Sequence, residues 1–177
     1  MYGTLNDANT YFASRLHSES WSNASTADKN AGLEEATRII DSLNYKGVKH
    51  VVWLIMYEYS TSGEKYVKKT NQPTRDEIIA ASATQDLEFP RGQDAVVPTP
   101  IEWACYELAL ALLEGFDSED AIENYNVVRR SYSSVSTTYA EQRNQEYLVY
   151  GIPTLRVWMW LKPYLLDDSE VRISRVN

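Results

Sequence analysis

The sequence predicts a mainly α-helical fold: a small bundle of about four main helices, one or two β-hairpin or ribbon arms, and an extended C-terminal tail. Three observations predict it. Four segments repeat apolar residues at the helical spacing of three and four, and several carry start and stop signals. Two other stretches are rich in β-branched and aromatic residues and contain turn signals. The final stretch is polar, with isolated apolar positions. No repeat of roughly 20–50 residues recurs, which excludes a solenoid.

A first helix is expected from about Thr4 to Leu16. Thr4 can cap it, and Leu5, Ala8, Phe12 and Leu16 share one stripe. Tyr11 borders that stripe one turn before Arg15, and both are read as free to meet a neighbour in a cation–π contact. HSESWSNAS reads as a turn plugged by Trp21. Ser25 opens S-T-A-D, a capping box with Asp28 in place of the usual Glu. The second helix, Thr26 to Leu43, carries Leu33, Ala36, Ile40 and Leu43 on one face, with Gly47 as its left-handed cap.

VKHVVWLIMYEY and STSGEKYVKK read as a strand, a Gly turn and a return strand. They form an arm from Val48 to Lys69 within an inserted section at about 48–84. The short apolar run leaves a buried helix as the alternative. TRDEIIAAS is a short helix capped from Thr74, with Glu77 three residues on. LEFPRG is an edge or loop anchored by Leu87 and Phe89, because Pro90 donates no backbone hydrogen bond.

The third main helix, Pro100 to Glu114, has Thr99 as cap and Gly115 as terminator. Its apolar circumference makes it the central helix. ENYNVVRRSYSSVSTTY reads as a β-ribbon at about 125–139. After a polar stretch, the closing helix runs from Pro153 to Leu165 and is interrupted near Pro163. Residues 1–165 are thus read as one helical-bundle domain, and 166–177 as a tail in which Val171, Ile173 and Val176 alternate with Arg172 and Arg175.

Composition narrows the function. Thirteen Tyr and five Trp against three Phe favour rings that keep one polar edge, suited to half-wet interfaces. The net charge of -8 is opposite to that of a protein living on phosphate contacts. Cys105, alone in an apolar run, reads as a buried small hydrophobe. His17 and His50 are too few and too separated for a metal cluster. No signal peptide or membrane span is apparent, so a soluble protein made in a reducing cytoplasm is expected.

No catalytic constellation emerges. The chain lacks a Gly-rich phosphate loop and a nucleophile motif. Glu34/Glu35 and Asp167/Asp168 are adjacent in sequence and read as solvated charge rather than acid–base pairs. The expectation is therefore a non-enzyme with no catalytic residues, cofactor or metal. Arg129 and Arg130 in the ribbon, and Lys65, Lys68 and Lys69 in the arm, are read as solvated strand faces or intersubunit contacts. Trp158 and Trp160 are read as core on one side and interface on the other.

Several stretches together resemble a known family. Y-G-T-x-x-x-A-N-x-Y-F-A-x-R-L, followed by Trp21, Ser25, Asp28-Lys29 and Glu35 to Asp41, is similar to small tailed-phage proteins carrying a DnaT-like single-stranded-DNA-binding label. LEFPRG at Leu87 to Gly92, IEWACYELALALLEG, SSVSTTY and PTLRVWMWLKPYL follow in that family's order. The section from about Val48 to Thr84 is longer than the family's usual one.

The family in turn resembles head-tail connector (adaptor, or head-completion) proteins. The resemblance implies a structural virion protein of the phage neck, made in the host bacterial cytoplasm. It would form a homo-oligomeric ring, twelve-membered in such connectors, beneath the portal protein, joining capsid to a tail or neck protein while double-stranded DNA passes. A binder of single strands needs a cationic groove, whereas a DNA conduit should be neutral or acidic. The charge of -8 favours the connector over the single-strand binder. In that reading Val171, Arg172, Ile173, Arg175 and Val176 dock on the portal. Tyr125, Val127, Arg129, Arg130, Tyr132 and Tyr139 meet neighbouring subunits.

Overall fold

The computed structural model describes residues 1–59, 66–125, 129–132, 135–138 and 146–166. Within them the chain is mainly α-helical. In order it forms α1 (Leu5–Ala13), α2 (Glu19–Asn23), α3 (Thr26–Asp41), α4 (His50–Met56), β1 (Tyr57–Tyr59) and β2 (Tyr66–Lys68). Next come α5 (Arg75–Ser82), α6 (Thr99–Leu113), α7 (Ser118–Tyr125), β3 (Arg129–Tyr132), β4 (Val135–Thr138), α8 (Glu146–Val149) and α9 (Leu155–Leu161). The strands form two separate antiparallel pairs, β1–β2 and β3–β4. Two compact units arise: Met1–Ile40 with Pro100–Pro163, and Asp41–Thr99 with Tyr164–Asn177.

In the first unit α1 begins as its sequence dictates, with the Thr4 hydroxyl accepting from the Asp7 amide at 3.2 Å. Ala8 and Phe12 are buried, but the helix stops at Ala13 and Leu16 is 81% exposed. The expected stripe therefore loses its fourth member. Ser14 turns its hydroxyl back onto the Tyr11 carbonyl at 3.0 Å, the local bonding by which serine competes with a continuing helix. His17 then takes a left-handed φ of 58°. The expected turn contains α2, which buries Trp21 with its ring 4.6 Å from that of Phe12 and its indole nitrogen donating to Asn9 at 3.0 Å.

Helix α3 starts under Ser25, whose hydroxyl accepts from the Asp28 amide at 3.1 Å, and buries Leu33, Ala36 and Ile40. It ends at Asp41, two residues before the expected Leu43, which is nevertheless buried. Gly47 adopts the left-handed φ of 74° expected of a cap. Helix α6 buries Ile101, Ala104, Cys105, Leu108 and Ala109, and the Cys105 sulfur lies 3.6 Å from the Leu33 carbonyl.

The ribbon expected at 125–139 is present between Arg129 and Thr138, while Tyr125, expected to begin it, closes α7 instead. The ribbon's strands pair from Arg129↔Thr138 to Tyr132↔Val135. The closing helix is shorter than Pro153–Leu165. Thr154 caps α9 by accepting from the Val157 amide at 3.3 Å, and a 3-10 turn, Lys162–Tyr164, replaces its end where Pro163 has no N–H to give.

In the second unit the largest correction falls on VKHVVWLIMYEY. Its first part is helix α4, and only Tyr57–Tyr59 is strand. Tertiary contacts override the β-propensity of its Val residues. The His50 amide donates to the Pro90 carbonyl at 3.0 Å, fixing the entry to the helix. Trp53 then stacks on Tyr57 at 5.2 Å and meets the Tyr66 ring edge-on at 4.5 Å, tying the helix to the hairpin it precedes. The hairpin pairs Tyr57↔Lys68 through Tyr59↔Tyr66. Helix α5 has the capping box expected of Thr74 and Glu77.

LEFPRG organises the rest of this unit. Phe89 is buried, with Tyr45 at 4.7 Å and Tyr164 at 5.5 Å, both edge-on. Arg91 forms an ion pair with Glu88 and donates to the carbonyls of Tyr45 (3.3 Å), Lys46 (3.0 Å) and Gly47 (2.8 Å), satisfying the turn that follows α3. Lysine has neither the planar fork nor enough donors for this arrangement. Arg91→Lys is expected to lower unfolding stability by about 1–3 kcal/mol, read by denaturant titration.

Candidate interaction face

A lone carboxylate inside an apolar helix must find partners or destabilise the fold. Glu107 sits midway along α6 and is buried, and its partners come from Tyr11 of α1 and from Arg15 in the turn that follows that helix. Arg15 gives it a bidentate pair, Nε to Oε1 at 2.5 Å and the second guanidinium nitrogen to Oε2 at 2.7 Å. The Tyr11 hydroxyl donates to Oε1 at 2.7 Å. The remaining guanidinium nitrogen of Arg15 donates to the carbonyls of Leu16 (2.8 Å) and His17 (2.6 Å), holding the turn after α1. Burial, then the bond to Glu107, drives the Tyr11 phenol above its ordinary value, and the same bond raises Arg15. Tyr11 and Arg15, expected to be free for a neighbour, are engaged inside this unit instead.

The pair anchors an aromatic row at the surface. Tyr11 lies 6.5 Å from Trp103 of α6, and Trp103 lies 5.8 Å from Trp160 of α9. Trp103 is 40% exposed and Trp160 half-buried. The outward side of α9 continues the row. Val157, Trp158 and Leu161 point into the core, which leaves Leu155, Arg156, Met159 and Trp160 on the opposite arc, with Lys162 just beyond. Leu155 is 56% and Met159 65% exposed. Trp158 is thus core, and Trp160 borders the surface.

Acidic groups flank the row on the α1 and α6 side. Burial, and after it the charge of Asp7, raises the Glu102 carboxyl above its ordinary value. A raised folded-state value means that the fold holds the proton more tightly than the unfolded chain does. Stability is therefore fullest below the ordinary glutamate value and declines as pH rises through the raised one. Glu102→Gln should give a small rise in melting temperature at about pH 7 and none at about pH 3, below the ordinary glutamate value, where Glu102 carries its proton in both the folded and the unfolded chain.

The residues expected to meet partners are distributed otherwise. Arg129, Arg130 and Tyr132 lie on β3, and Tyr125 ends α7. Val127 and Tyr139 lie outside the described residues, as do Lys65 and the tail positions Val171, Arg172, Ile173, Arg175 and Val176. Lys69 donates to the Leu54 carbonyl at 3.1 Å, and Lys68 is exposed. Glu34 and Glu35 share Arg38 on the surface of α3, at 3.6 and 2.5 Å. Among the described residues no group of three His, Cys, Asp or Glu side chains is placed to hold a metal ion, and no helix is long and apolar enough to cross a membrane.

Fold and face together define a mainly helical protein with two short antiparallel ribbons and an aromatic, aliphatic and cationic strip on its first unit. The chain matches no family model, no curated protein sequence and no solved structure.

Proposed function

We propose that this chain is a structural, non-catalytic virion protein: a head-to-tail connector that forms a ring beneath the portal protein, joins the capsid to the tail or neck, and lets DNA pass. The observation that carries the reading is the strip of Trp103, Trp160, Leu155 and Met159 on a protein of net charge -8. Trp, Met and Arg gathered on one exposed surface suit a protein partner. The acid surplus suits a wall from which a duplex must slide free. In this reading the tail beyond Asp168 docks on the portal. Removing it should leave a folded protein that no longer joins portal-containing particles, and retained joining would sink that assignment.

One observation favours the single-strand binder. Arg156, Lys162, Trp160 and Trp103 put cations beside half-exposed rings, the pairing used by stacking platforms. Glu102, next to Trp103 on α6 and under the charge of Asp7, and the Glu107 carboxylate that occupies Arg15, oppose it. That alternative requires salt-sensitive retention of oligonucleotides at low ionic strength, and a null shift eliminates it.

A further inference from the structure

The first unit carries a second surface whose chemistry is the converse of the α9 strip. Between α3 and the C-terminal end of α6 lies an open groove of roughly 500 Å³, lined by Asp28, Glu34, Glu35, Arg38, Leu112 and Leu113. Three carboxylates face one guanidinium, so the rim is acidic, while Leu112 and Leu113 supply an apolar floor. The carbonyl end of α6 adds partial negative charge at the same place. The Arg38 pairs with Glu34 and Glu35 are largely exposed and therefore exchangeable at little cost.

The α9 strip presents the complement: Arg156 and Lys162 beside Leu155 and Met159, with no acid on the outward arc from Leu155 to Lys162. The two surfaces lie toward opposite ends of α6. Trp103, which touches Trp160, and Leu113, which lines the groove, are separated by about 15 Å of helix rise. We infer that the occupant of the groove is the α9 strip of a second copy of this chain. A contact between two different patches of the same chain is head-to-tail. It leaves one strip and one groove free at each end, so it propagates, and it closes into a ring when the rotation permits. The inference deepens the connector reading and rests on it for the closed ring.

Charge reversal tests it on the full chain, because the exposed positions can be changed without entering the core. Sedimentation velocity over a concentration series should show the wild type associating. R156E/K162E should weaken association at least about tenfold, and adding E34K/E35K to the same chain should restore it with the charges exchanged. Circular dichroism checks that each variant is folded. Met159→Cys combined with Leu113→Cys should give a ladder of covalent multimers on oxidation, whereas either single variant should give none.

A wild type that stays monomeric at every concentration, together with a double-cysteine variant that yields no ladder, overturns the inference. So do dimers from Met159→Cys alone, which would mean that like strips meet. Oligonucleotide binding lost in R156E/K162E would assign the strip to nucleic acid and equally overturn it. Failure of the connector reading looks different: particles lacking the chain would join tails normally, whatever the reversed variants do in solution.

Discussion

Arg15→Met is expected to destabilise the first unit by about 3 kcal/mol, the lower end of what breaking a buried ion pair costs, or roughly 6–12 °C in melting temperature. The side chains explain the size. Glu107 is 7% exposed and Arg15 23%, so removing the guanidinium strands a desolvated carboxylate that keeps the Tyr11 hydroxyl, at 2.7 Å, as its neutral donor. Methionine keeps most of the apolar stem, which separates the charge effect from lost packing. The double variant Arg15→Met/Glu107→Met should recover most of the loss, since replacing both partners removes the stranded charge. A single-variant cost below about 1 kcal/mol would mean that the pair behaves as a solvated surface contact.

This pair also marks where the sequence stopped being legible. Local signals had local causes and held: Thr4, Ser25 and Thr74 receive the helix amides expected of caps, and Gly47 takes the left-handed turn. Each feature depends on residues within a few positions of one another. Glu107 and Arg15 are 92 residues apart, and no local period reports their meeting. The signal that could have found them is Glu107 itself, a carboxylate in the middle of a helix apolar nearly all round. A side chain there needs a cation from elsewhere, and Arg15 follows a helix that the sequence already placed in the bundle.

The errors elsewhere share that origin. VVWLIMY has no decisive period, and the choice between strand and helix falls to Trp53 and its distant ring partner Tyr66, together with the amide–carbonyl bond from His50 to Pro90. Leu16 continues the stripe on paper, but Ser14 and the Arg15 contacts to the Leu16 and His17 carbonyls end the helix before it arrives. The candidate face was legible only in part. Trp160 could be read from its spacing with Trp158. The neighbouring Trp103 depends on where α6 and α9 cross, and that crossing is a product of tertiary packing.

Gly3→Ala should be the other severe substitution, costing about 2–5 kcal/mol, the sum of a left-handed penalty and an overpacking penalty. Gly3 has a φ of 72°, where a Cβ crowds the backbone, and an added methyl would meet the Tyr106 hydroxyl oxygen at 1.9 Å and its ring carbons at 2.8–2.9 Å. The ring has little room to yield, because Tyr106 is buried and its neighbour Tyr11, 5.6 Å away, is held by Glu107. Tyr106→Phe separates the two penalties. The Tyr106 hydroxyl has no hydrogen-bond partner among the described residues, so removing it alone should be neutral or stabilising by up to about 1 kcal/mol. In the Tyr106→Phe background the closest contact vanishes and Gly3→Ala should cost less, while the φ penalty remains. A double-mutant cycle by denaturant unfolding reads the difference as a coupling of about 1 kcal/mol or more. If Gly3→Ala costs the same in both backgrounds, the phenol is not the obstacle, and the glycine is required there for its backbone conformation alone.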